Sequence, residues 1–79
     1  MRILALDDKE KGTNIVIEVE VALYDVECDG ILFFEPDGSE WYIPNVSISD
    51  HNYVCRELMM NEYCDVTRFG EITYVEEDM

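Results

Sequence analysis

Positive charge is what this sequence has least of. Its 79 residues include 5 Lys and Arg against 19 Asp and Glu, a formal net charge of −14 with the one histidine neutral. A protein that holds nucleic acid needs a basic footprint to displace phosphate counterions, so direct nucleic-acid binding is not expected. Long apolar runs are missing too. Nothing approaches the roughly 18 residues of a membrane span, and no membrane association is expected. The segment Ile3-Leu4-Ala5-Leu6, cut off by Asp7 and Asp8, is too short for a signal-peptide core. These absences point to a soluble protein of the bacterial cytoplasm, encoded by a bacterium or a phage. No glycine-rich phosphate loop is present. Cys28, Cys55 and Cys64 form an odd set without a CxxC pair, and in a reducing compartment they are expected as small buried hydrophobes. No cofactor is implied.

What remains is enough to fold. Hydrophobic residues make up 48% of the chain, too many for an acidic disordered segment. The length suits one domain over 1–79, and a chain this short buries only about 60% of its unfolded surface. The charge exceeds the magnitude of roughly 2–8 that keeps a small domain soluble, and confining it costs stability through self-repulsion. Such an excess suggests that the charge is used.

Residues 2–6 read as a short strand and Asp7 to Asn14 as a polar loop. Ile15, Ile17, Val19, Val21 and Leu23 then alternate with Glu18, Glu20 and Ala22, the period of a half-buried strand. From Tyr24 the phase flips, with Tyr24, Val26 and Cys28 apolar and Asp25, Glu27 and Asp29 polar. A one-residue slip is the signature of a β-bulge, expected at Ala22–Tyr24 in one strand of about 13 residues, roughly 43 Å long. Asp29-Gly30 signals a tight hairpin, and Ile31 to Phe34 a central strand. Pro36-Asp37-Gly38 is a turn, and Trp41 to Ile43 returns to complete an antiparallel meander over 15–43. Ser49 and Asp50 are candidate N-caps of a helix over 50–63. Glu71 to Val75 is a last strand, and Glu76 onward an acidic tail over 76–79, expected to be disordered. The order β-β-β-β-α-β makes an α+β protein: a small antiparallel sheet of about five strands, covered by one helix, able to curl into an SH3- or OB-like open barrel.

The acids have a pattern. Glu18 and Glu20, then Asp25, Glu27 and Asp29, stand two apart on the long strand, about 6.6 Å between successive side chains on one face. Asp37 and Glu40 extend the charge to the next turn. Tyr42, Tyr53 and Met60 are aromatic and methionine candidates for the desolvated centre of an interface. Asp25 to Gly30 matches the first half of an EF-hand loop, but Pro36 stands where the bidentate glutamate belongs. His51, Cys55 and Cys64 lack the paired spacing of a zinc site. No nucleophile and base are spaced for catalysis, and the chain is not read as an enzyme.

On its length, its acids in register (Ile17-Glu18-Val19-Glu20 and Asp25-Val26-Glu27-Cys28-Asp29) and its Glu76-Glu77-Asp78 tail, the chain resembles the small acidic proteins that phages make against host defences, the anti-CRISPR proteins and DNA mimics. Gly30 to Phe34 and Asp37 to Pro44 are similar to the hairpin of small SH3- and OB-like barrels. The first resemblance implies a non-catalytic inhibitor. Its partner would be a basic, nucleic-acid-binding protein of the host, a CRISPR effector or restriction-type nuclease. Glu18, Glu20, Asp25, Glu27, Asp29, Asp37, Glu40, Tyr42, Tyr53 and Met60 would face that partner. Two alternatives stay open: an immunity protein or antitoxin against a basic nuclease, and a structural or accessory domain, homodimeric or larger, whose charge serves solubility.

Overall fold

Ile15, Ile17 and Val19 find their apolar face in a hairpin with the N-terminal strand. A computed structural model of the chain describes residues 1–76; beyond Glu76 the expected acidic tail falls outside the described residues. Strand β1 (Arg2–Asp8) pairs antiparallel with β2 (Thr13–Glu18), matching Ile3 to Ile17 and Ala5 to Ile15. These residues turn inward because the facing positions, Val16 and Glu18 among them, meet solvent. The turn between the strands is held by the Asp8 carboxylate, which accepts from the amides of Glu10 and Lys11.

The expected long strand is two strands. At Val19 the amide still donates to the Met1 carbonyl (2.7 Å), and one residue later Glu20 donates to Phe34 (2.7 Å), so the chain steps between sheets across one peptide bond. Strand β3 (Val21–Asp25) then pairs with β4 (Gly30–Phe34) without any register shift, and no bulge lies at Ala22–Tyr24. The irregular pairing lies instead between Leu6 and Asp8. Length explains the break. A continuous strand of roughly 43 Å would overrun a molecule whose longest extent is 33 Å.

Asp29-Gly30 is not a two-residue turn. The connection is the four-residue loop Val26 to Asp29, Asp25 pairs with Gly30, and Asp29 takes the left-handed conformation (φ 49°). The Pro36-Asp37-Gly38 turn forms as expected, closed by Glu35 N to Ser39 O (2.8 Å) and Gly38 N to Glu35 O (2.9 Å). It delivers β5 (Glu40–Ile43) back alongside β4.

Helix α1 (Ile48–Asn61) starts two residues before the expected position because Ser47, not Ser49 or Asp50, is its N-cap; the Ser47 hydroxyl accepts from the Asp50 amide. It ends where Glu62 turns left-handed (φ 56°). Two short elements follow. Strand β6 (Tyr63–Asp65) runs parallel to β1, and after a 3₁₀ turn over Thr67–Phe69, β7 (Thr73–Val75) pairs antiparallel with β5. The fold is α+β, as expected, with its strands in two sheets, β2-β1-β6 and β3-β4-β5-β7, rather than one. Neither described sheet closes into a barrel.

The inner faces of both sheets and α1 share one core, with Ile3, Ile17, Phe33, Ile43, Val54 and Leu58 all buried. Each such side chain contributes on the order of 1.5–3 kcal/mol. Within the described residues no helix is long and apolar enough to cross a membrane.

Candidate interaction surface

Cross-strand partners share a face, so the register of the second sheet sorts its side chains. Ile31 with Ile43, and Phe33 with Trp41, face the core. Ala22 and Tyr24, opposite Phe33 and Ile31, face the same way, and Tyr24 meets His51 of α1 at 5.6 Å between ring centres. The other face consequently carries two rows. One runs Val21, Phe34, Glu40, Val75; the next runs Leu23, Leu32, Tyr42, Thr73. Val21 and Leu23, on the edge strand, are 42% and 50% exposed. Both had been expected inside, in phase with Ile15 to Val19. The step between sheets at Val19–Glu20 turns them outward.

Acids close both ends of these rows. Asp25, Glu27 and Asp29 stand at the β3–β4 loop; Glu20, Glu35, Asp37 and Glu40 stand at or near the opposite end. Four residue steps of β3 separate the two groups, about 13 Å. Several of these carboxylates are fixed by the loops they build. Asp25 accepts from the amides of Glu27 (3.0 Å) and Cys28 (3.3 Å). Asp29 accepts from the Tyr24 hydroxyl (3.0 Å). Removal from water, together with the Asp29 carboxylate, pushes the Tyr24 phenol up. The Ser39 amide donates to Asp37 and holds its carboxyl below the usual range. Glu35 accepts from the Trp41 indole (2.6 Å).

The expected site residues do not form two ladders. Glu18 lies on the first sheet, exposed, and pairs with the N-terminal ammonium at 3.3 Å, the one ion pair among the described residues. Glu20 sits in the connector, Asp25 ends a strand, and Glu27 and Asp29 belong to a loop. Tyr42 is half-buried: its ring lies over Gly30 and its hydroxyl donates to the Cys28 carbonyl (3.1 Å). Tyr53 and Met60 belong to α1, on the core side of the sheet, with Met60 73% exposed. The residues missed were Val21, Leu23, Leu32, Phe34 and Glu35. For Val21 and Leu23 the signal was the apolar run Val21 to Tyr24, and for Leu32 and Phe34 the run Ile31 to Phe34, since a strand sends two of four side chains each way; Glu35 had no signal.

A concavity of about 440 Å³ lies between α1 and β6, lined by Tyr53, Glu57, Asn61, Tyr63, Asp65 and Arg68 among others. Several of its polar groups are already engaged. Arg68 lies 4.8 Å from the Tyr53 ring centre, with Arg56 at 5.7 Å. Glu57 accepts from Asn61 (2.6 Å), and Asp65 from the Thr67 amide (2.9 Å) and hydroxyl (2.6 Å), which holds the Asp65 carboxyl low. Near the start of α1, His51 Nε2 lies 3.3 Å from Cys55 Sγ, and burial pushes the Cys55 thiol up. That direction disfavours a thiolate nucleophile. Among the described residues no three His, Cys, Asp or Glu side chains stand together as metal ligands. Cys28, expected inside, is exposed in the β3–β4 loop.

No protein-family model matches the chain, and comparisons with curated proteins and with solved structures return no significant match.

Proposed function

We propose that this protein is a non-catalytic acidic inhibitor that binds the basic, nucleic-acid-binding surface of a host enzyme, such as a CRISPR effector or restriction-type nuclease, and blocks access of nucleic acid. One observation carries the reading: among the described residues the negative charge is not neutralised by the protein's own cationic side chains. Among the described residues no Lys or Arg side chain pairs with a carboxylate, and the sole ion pair is made by the N-terminal ammonium. Between Lys11 and Arg56 the chain holds nine acids and no Lys or Arg. Charges left without internal partners repel one another in the folded state, and a cationic partner relieves that repulsion. Complementary potentials of this kind raise association rates and set specificity. An immunity protein against a basic nuclease would use the same physics.

The test is inhibition of DNA cleavage by purified RNA-guided and restriction-type nucleases, measured across salt. Inhibition should weaken steeply as salt rises. Asp25→Lys/Glu27→Lys and Glu18→Lys/Glu20→Lys should each weaken it at least tenfold. If both double variants inhibit as well as the parent, the proposal fails.

A further inference from the structure

The apolar rows lie on one face, uncovered among the described residues; Asp25 and Glu40 share that face by register, and the other acids stand in the connections at its two ends. We infer that the outer face of the β3-β4-β5-β7 sheet is the docking surface, and that it fits a protein surface with an apolar ridge flanked at both ends by Lys or Arg. The inference rests on the acidic-binder reading above and says where and how the partner sits.

Charge selects the occupant. Residues 20–44 hold seven acids (Glu20, Asp25, Glu27, Asp29, Glu35, Asp37 and Glu40) and no Lys, Arg or His. A second copy of this chain would bring an equal negative face against it. Nucleic acid and anionic lipid are repelled for the same reason. A cationic protein surface is attracted, and its side chains can reach carboxylates at both ends of β3, about 13 Å apart. The centre supplies what charge alone does not. Val21 and Leu23 stand directly beside Phe34 and Leu32 on the neighbouring strand, so four apolar side chains form one patch. A patch of this kind, dried by a partner and ringed by charge, is where binding energy concentrates.

The first sheet offers a poorer match. Its outer pair, Leu4 and Val16, is flanked by the pair of Arg2 with Glu18, and that glutamate is taken by the N-terminus.

Two measurements test this. Amide chemical shifts of the wild-type protein are followed as two short peptides are added. One has Lys at both ends and a Leu-rich centre; the other replaces Leu by Ser at equal charge. Shifts should concentrate on β3, β4 and β5, and the Leu peptide should bind at least tenfold tighter. Equal affinities, or shifts centred on β1, β2 or the α1–β6 groove, would overturn the inference. Second, Val21→Thr/Leu23→Thr, outward changes that keep β-branched or strand-compatible side chains, should reduce nuclease inhibition at least tenfold while Asp25→Lys/Glu27→Lys does the same. Loss on charge reversal with no effect of the threonines sinks this face but leaves the acidic inhibitor standing. Indifference to both sets of variants sinks both. The peptide mapping uses unaltered protein, so it decides even where a variant fails to fold.

Discussion

The ring of Tyr42 occupies the space where any side chain at Gly30 would begin. A Cβ placed on Gly30 would come within 2.5 Å of the Tyr42 ring and of the Ile43 carbonyl, while the Tyr42 hydroxyl, 3.1 Å from the Cys28 carbonyl, fastens the loop beyond. Gly30 is in a strand and its φ is not left-handed, so the requirement is steric rather than conformational. Gly30→Ala should therefore cost on the order of 1–3 kcal/mol, the range of an overpacked site. Tyr42→Phe removes only one hydrogen bond and should cost about 1 kcal/mol. Urea unfolding of the two variants checks the order; a Gly30→Ala protein as stable as the parent would contradict the packing.

The three thiols should separate by reactivity. Cys28 is exposed; burial pushes up both Cys55 and Cys64, and Glu57 adds to the effect at Cys64. With a thiol-disulfide reagent near pH 8, one thiol should react fast and two slowly, since the thiolate is the reactive form. Cys28→Ser should remove the fast phase alone.

Asp65 should mark its presence in the acid limb of stability. Hydrogen bonds from the Thr67 hydroxyl and amide hold its carboxyl below the usual carboxylate range. A carboxyl more acidic folded than unfolded adds stability above its unfolded value, and loses it as pH falls through the folded one. Asp65→Ala should lose roughly 0.5–1 kcal/mol at pH 7, modest because the side chain is solvent-exposed. The gap from wild type should close below about pH 4. A gap that persists at pH 2 would mean the contribution is not ionic.

Salt should stabilise the isolated protein. With a net charge of −14 and one ion pair among the described residues, screening removes more repulsion than attraction. Raising NaCl from about 20 mM to about 500 mM should raise Tm by several degrees, where 1 kcal/mol corresponds to about 4–8 °C for a domain of this size. A flat or falling Tm would show that the acids do not repel one another in the native state.

Local chemistry was legible and long-range pairing was not. The Pro36-Asp37-Gly38 turn reads directly, because those residues prefer the required angles whatever surrounds them. The Ser47–Asp50 cap was readable too, as a Ser followed three residues later by an acid, but Ser49 and Asp50 offered a competing start two residues on. The split at Val19–Glu20 had no local sign. Val19, Val21 and Leu23 continue the alternation without interruption, and only the extent of the core decides that the first points inward and the next two outward. Strand β6, three residues long, carries no period to detect. For the surface, the acids were visible as residues, but their gathering at the two ends of β3 depends on the β3–β4 and β4–β5 pairings. The apolar centre between those ends was hidden by the same mistake in phase.

Strand β1 is completed from opposite ends of the sequence. Its first neighbour, β2, is made a few residues later, while its second is β6, and the backbone contacts continue through Val66 and Ile72. During synthesis, that edge of β1 waits through almost the whole chain as an open template for another strand. The segment that carries β1 is itself balanced, with Arg2, Lys9 and Lys11 against Asp7, Asp8 and Glu10. Repulsion between nascent chains must therefore come from the acids of Glu18 to Glu62, which emerge while that edge still waits.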